Sequence, residues 1–226
     1  MATVVELLQA LGSFVVGVVG RAGLFLAAGL VLAAPALVLA LVWRAVGARR
    51  SVRGVRDSAR FAPNHTWLAP RGRSGALVVG VDEIAQRIMP SATALELPTP
   101  GMEVRRGDPI AVVRAGRRAI RVGAPVDGTI VGVNKRARRN PALVKDDPYG
   151  AGWLFLIAPR DEGWRKLPGG LFGEAWVASE RRRLALFVEE QLGIAAADGG
   201  ELVEPGPALL GEDGWRRLVA TFLNAA

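Results

Sequence analysis

Twenty-two consecutive residues, Ala22 to Trp43 (AGLFLAAGLVLAAPALVLALVW), carry no charge, and no other stretch limits the fold as strongly. As a helix rising ~1.5 Å per residue, the run would span ~33 Å, against a hydrocarbon core of ~30 Å. It reads as a single transmembrane helix, with a buried core helix as the competing reading. A cleaved signal peptide fits poorly, because no basic region precedes the run. Pro35 falls mid-span, where membrane helices tolerate breaks. Arg44, Arg49, Arg50, Arg53, Arg56 and Arg60 follow the run, whereas only Arg21 and no lysine precedes it. That asymmetry puts the chain after residue 44 in the cytoplasm, with Trp43 at the interface. Residues 3–20 are apolar but hold Glu6 and Gln9. They fit an interfacial helix, an extension of the anchor or, least well, a first span of a hairpin. Gly23/Ala27 and Gly29/Ala33 have the small-xxx-small spacing of packed spans, although small residues are also common in such helices.

Charge is segregated along the remainder. The net charge is +8, yet residues 44–160 hold 21 Lys/Arg against 9 Asp/Glu, and residues 161–226 hold 7 against 11. Lys135, Lys145 and Lys166 are the only lysines. A basic middle points to anionic lipid, nucleic acid or an acidic protein as neighbour. With no cysteine there is no disulfide, thiolate nucleophile or cysteine metal site. A single histidine, His65, rules out a histidine cluster or a two-histidine relay within the chain. Neither a catalytic residue nor a metal site is therefore expected.

Organisation follows from composition. Residues 1–46 form the N-terminal segment with its anchor, and 47–60 a basic linker beside the headgroups. From residue 61 to 160 short apolar runs alternate with Pro/Gly punctuation: GALVVGV (75–81), PIAVV (109–113), AIRV (119–122) and TIVGVN (129–134). This spacing predicts a mainly β sandwich or barrel. DEIAQRIM (82–89) predicts a short helix burying Ile84, Ala85, Ile88 and Met89. Residues 161–226 form a helical C-terminal extension. Its first helix spans 171–193, with Phe172, Ala175, Trp176, Leu184, Phe187 and Val188 on one face and Glu174, Glu180, Arg181, Glu189 and Glu190 on the other. Gly193 is its stop, and residues 211–226 form a last helix with an acidic start.

Five segments carry a family resemblance: FAPNHTWL (61–68), VGVDEIAQ (79–86), LELPTPGMEVRRGDPIAVV (95–113), APVDGTIVGVN (124–134) and NPALVKDDPYGAGWLFLIAP (140–159). Together they resemble the H protein of the glycine cleavage system over about 100 residues. The last segment is the most specific; residues 101–110 are shared more widely with lipoyl and biotinyl domains. The resemblance implies a barrel-sandwich hybrid with small helices. It also implies a hairpin tip whose lysine is acylated with lipoate, the arm that carries an aminomethyl group between partner enzymes. In register, that lysine falls at Arg117, and the acidic residue usually preceding it falls at Arg114. No lysine lies in Ala111–Val122 (AVVRAGRRAIRV), and a slip of one or two residues finds only arginine or glycine. A guanidinium stays protonated and only donates hydrogen bonds, so it is no acyl acceptor. Lipoate is therefore expected to be absent, and Arg117 marks a former attachment position.

Arg114, Arg117, Arg118 and Arg121 crowd this tip, and NKRARRN (134–140) adds Lys135, Arg136, Arg138 and Arg139, where the resemblance implies a short, usually acidic helix or turn. Three readings of the tip compete: a solvated loop, a docking surface for carboxylates or phosphates, and a membrane-surface contact. Nucleic acid is disfavoured, since no aromatic stacking residue interleaves these arginines. His65 and Trp67 match the family's H-x-W and are read as packing residues, not catalytic ones. The expected function is a non-catalytic, membrane-anchored docking or structural subunit with protein partners in a larger complex. Two alternatives stand beside it: a working glycine cleavage lipoyl carrier, and an accessory structural subunit of a membrane electron-transfer or transport complex.

Overall fold

Short apolar runs closed by glycine and proline become β-strands, because each run is long enough to cross one face of a small sheet but too short for a stable helix. A computed structural model describes residues 55–72, 74–89, 91–193 and 206–223, together with isolated positions (14, 16, 17, 19, 34, 35, 37 and 38) nearer the N-terminus. Residues 1–50 and 51–226 form separate compact units. The expected anchor at 22–43 lies outside the described residues, apart from four helical positions. Among the described residues no helix is long and apolar enough to cross a membrane.

The second unit is mainly β. Strands β1 (Arg60–Phe61), β2 (Thr66–Pro70), β3 (Leu77–Val81), β5 (Glu103–Val104), β8 (Gly128–Val133) and β9 (Phe155–Pro159) form an antiparallel sheet in the order β1-β2-β3-β9-β8-β5. Strands β4 (Ala94–Glu96), β6 (Pro109–Ala115) and β7 (Arg118–Gly123) form a second, in the order β4-β6-β7. The core holds Leu68, Val79, Ile130 and Ile157 from the first sheet with Leu95, Val113, Ile120 and Val122 from the second. Burying such aliphatic side chains stabilises the fold by ~1.5–3 kcal/mol each. The residues at 55–58 are helical and Arg60 enters β1, so the end of the expected basic linker is built into the domain.

β2 and β3 are buried on both faces, unlike an ordinary half-exposed antiparallel pair. Trp67, Ala69 and Val78 turn away from the main core into a second cluster with Phe61, Tyr149 and Val177. The pairing Trp67↔Gly80 explains the glycine in VVGV. A Cβ on Gly80 would lie 2.7 Å from the Trp67 indole.

Helix α1 (Glu83–Ile88) begins where Asp82 accepts hydrogen bonds from the Ile84 and Ala85 N–H groups, and it buries the apolar face expected of it. Two short helices, α2 (Lys135–Arg139) and α3 (Leu143–Asp146), link β8 to β9. The C-terminal extension is not a separate body: α4 (Gly170–Leu192) and α5 (Glu212–Phe222) send Leu184, Val188, Trp215, Leu218 and Phe222 into the main core. Gly193 ends α4 in the left-handed region, as expected. The buried face of α4 differs from the expected one. It comprises Gly173, Val177, Glu180, Leu184 and Val188, while Phe172 is exposed. Gly173 is buried because α4 crosses close to Phe61, where a Cβ would stand 2.9 Å from the ring.

Candidate functional site

The β6–β7 hairpin closes through a two-residue turn, Gly116-Arg117, with Ala115 opposite Arg118. Gly116 takes φ +60°, the left-handed backbone that a tight hairpin needs at its first central position. Arg117 therefore stands at the apex. β4 braces the hairpin: Thr93 N donates to Arg114 O (2.7 Å) and Gly116 N to Thr93 Oγ1 (3.4 Å).

The structure divides the four arginines. Val112↔Arg121 and Arg114↔Ala119 are opposite pairs, so Arg114 and Arg121 share the outer face of the hairpin while Val113 and Ile120 face the core. Arg114 Nε donates to Glu96 Oε1 on β4 (2.7 Å), an exposed pair. Arg118 belongs to the opposite face and is not available to a partner there. Its Nη2 donates to Leu210 O (2.8 Å), and its guanidinium lies 4.3 Å from the Trp215 ring centre. The C-terminal extension thus caps the inner side of the tip. Arg117 and Arg121 are exposed and make no side-chain hydrogen bond or ion pair with a described residue.

The second basic segment forms α2 because Asn134 caps it. Asn134 Oδ1 accepts from Arg136 N and Ala137 N, and its Nδ2 donates to Ala151 O and Trp153 O, both at 2.7 Å. Ala137 is the buried anchor, leaving Lys135, Arg136, Arg138 and Arg139 in solvent without ion pairs among the described residues. α2 packs against β4, the strand that also pairs with β6. One edge strand therefore joins the hairpin to the basic helix.

His65 sits elsewhere, 1% exposed, with φ +55°. Its Nδ1 lies 2.9 Å from Asp82 Oδ2 and its Nε2 3.6 Å from Glu180 Oε2. Trp176 and Phe222 flank the ring at 5.3 and 6.0 Å between centres. Glu180 also accepts from Arg183 Nη1 (2.8 Å). His65 thereby ties the barrel to α4 and α5. In the sequence its partners appear only as the first residue of a predicted short helix, Asp82, and as a residue expected on a polar helix face, Glu180. Tyr149 packs on Trp67 with ring centres 5.3 Å apart, and the Arg56 guanidinium lies 5.8 Å from the Tyr149 ring centre. Burial, followed by the nearby Asp82 and Glu83 charges, pushes its phenol well above the ordinary tyrosine range, with Arg56 opposing. Among the described residues no group of three or more His, Asp or Glu side chains could hold a metal ion.

Comparison with known proteins gives one consistent result. The family described as Glycine cleavage H-protein matches residues 59–167. The glycine cleavage system H protein of Pseudoalteromonas atlantica is 44% identical over 107 residues, covering 47% of this chain and 82% of that protein. The Thermus thermophilus protein of the same name is 39% identical over 103 residues, covering 46% of this chain and 79% of that protein. A crystal structure of a Mycobacterium marinum glycine cleavage system H protein is 25% identical, with a TM-score of 0.47, covering 55% of this chain and 97% of that one.

Proposed function

The chain belongs to the glycine cleavage H-protein family, and from that premise we propose that it keeps the family's framework as a docking module without the lipoyl arm. One observation carries the reading: the apex of the β6–β7 hairpin is Arg117, within a segment that has no lysine. Lipoylation joins the lipoate carboxyl to a lysine amine. A guanidinium supplies five donors and no such nucleophile. In place of a swinging arm, the hairpin offers fixed cations. Arg117 and Arg121, with Lys135, Arg136, Arg138 and Arg139 across β4, form a surface suited to partner carboxylates, where arginine forks bind in pairs of hydrogen bonds. Such binding weakens with salt, since the groups are exposed. The uncharged run Ala22–Trp43, with arginines after it, supports a membrane anchor that leaves this surface in the cytoplasm. The role is structural: a subunit that holds an acidic protein partner at the membrane, with neither catalysis nor lipoate.

The carrier reading is the second. The 44% identity across most of a named H protein favours it. It requires lipoate on Lys135, Lys145 or Lys166, all outside the hairpin. Lys145 is half-buried, with its Nζ 3.5 Å from Met89 O. Incubation with lipoate, ATP and a lipoate–protein ligase separates the two. The docking reading expects no lipoyl mass on the natural chain and a single addition on Arg117→Lys. Lipoylation of the natural chain restores the carrier.

A further inference from the structure

Leu171 and Phe172 are 83% and 84% exposed, the two most exposed large apolar side chains among the described residues. They are adjacent, at the start of α4, after Gly170 in the left-handed region at φ +56°. The face of α4 that packs runs through Gly173 and Val177, not through them. Their position in the domain is specific. Gly169 bridges to Arg60 in β1, and Phe61 N donates to Pro168 O (2.9 Å). Leu171 also lines a cavity of about 520 Å³ together with Arg56 and Asp57. The apolar pair thus stands where the chain enters the domain from its N-terminal side. The uncharged run ends at Trp43, only twelve residues before Val55.

We infer that Leu171 and Phe172 form a wedge that enters the interfacial region of an anionic lipid bilayer. The inference rests on the membrane reading above. Shallow binding at a bilayer surface scales with the apolar area buried at the headgroup boundary, with cations adding attraction to anionic lipid. Arg56 is an exposed cation that lines the cavity with Leu171, and Arg49, Arg50 and Arg53 lie upstream in the sequence. Asp57, Glu83 and Glu174 line the cavity against Arg56 and Arg181, so the wedge itself adds no net positive charge, and contact relies on the two apolar side chains.

The absence of cysteine permits a direct test. The full chain, as Phe172→Cys or Leu171→Cys with a nitroxide label, is reconstituted into phosphatidylcholine vesicles containing phosphatidylglycerol. Leu186→Cys is the comparison: it is exposed on the same helix, about 21 Å farther along the axis than residue 172. Both wedge positions are exposed, so neither substitution disturbs packing. The expected result is vesicle flotation, with labels at 171 and 172 relaxed several-fold more by oxygen than by a water-soluble nickel chelate, and the reverse at 186. Flotation with all three labels open to the nickel chelate overturns the wedge and leaves the anchor. Labels shielded from both reagents mean that protein covers the pair, which also overturns it. Failure to float removes the membrane reading and the wedge with it.

Discussion

Replacing Arg118 by methionine should loosen the C-terminal extension from the hairpin. Methionine keeps most of the side chain's volume but removes the guanidinium. Two contacts vanish: the 2.8 Å hydrogen bond to Leu210 O and the cation–π contact with Trp215 at 4.3 Å. A hydrogen bond from a charged donor contributes ~1.5–3 kcal/mol, and a cation–π contact ~0.5–2 kcal/mol. Arg118 is half-buried, so the lower ends of both ranges apply, about 2 kcal/mol together. With a urea slope of ~2 kcal/mol/M, the midpoint should fall by about 1 M. Hydrogen exchange in 206–223 should rise at low denaturant, and amides of β2 and β3 that exchange only through global unfolding should lose protection by the same free energy. A double-mutant cycle with Trp215→Leu isolates the ring contact, with an expected coupling of about 0.5 kcal/mol. A loss below about 0.5 kcal/mol with unchanged exchange in 206–223 would refute the capping of the hairpin by the extension.

Other consequences are testable in the same preparations. Tyr149 is the only tyrosine, so absorbance at long ultraviolet wavelength titrates one phenol. Its raised pKa means that stability contributed by the neutral phenol is present below pH ~10 and falls as pH rises above that, since only the unfolded chain ionises there; phenolate absorbance should appear together with unfolding, not before it. Gly80→Ala should cost ~2 kcal/mol by driving a methyl group into Trp67, and Trp67→Phe in the same chain should recover part of that loss in denaturant melts. Leu218→Ala, at a fully buried site in α5, should cost ~2–5 kcal/mol of global stability. A small effect there would mean that the extension is not part of the core.

Four of the nine strands among the described residues, β3, β6, β7 and β8, were legible because their apolar runs are bounded by glycine and proline, and α1 because its apolar residues recur on one face. The ends of the long helix were legible too, through Gly193. Its buried face was not. The large apolar residues of α4 are spread around the helix, and what decides the face is long-range: Gly173 must pass Phe61, and Glu180 meets His65 from 115 positions upstream. A glycine and a glutamate carry no local signal of burial. Arg118 hides for the same reason. In sequence it is one of four arginines at a tip, and only its opposite strand face, with Leu210 and Trp215 arriving from far along the chain, separates it from Arg117 and Arg121. For residues 134–140 the resemblance implied a short helix or turn; the Asn134 cap and the buried Ala137 that make it a helix come from the structure.

The most direct measurement is the intact mass of the protein extracted from its source cells in mild detergent, with peptide mapping of residues 111–122 and of the three lysines. The expected result is an unmodified chain that co-purifies with an acidic protein partner and loses it at high salt. A solitary chain bearing lipoate on Lys135, Lys145 or Lys166 would contradict the docking reading and establish a displaced carrier site.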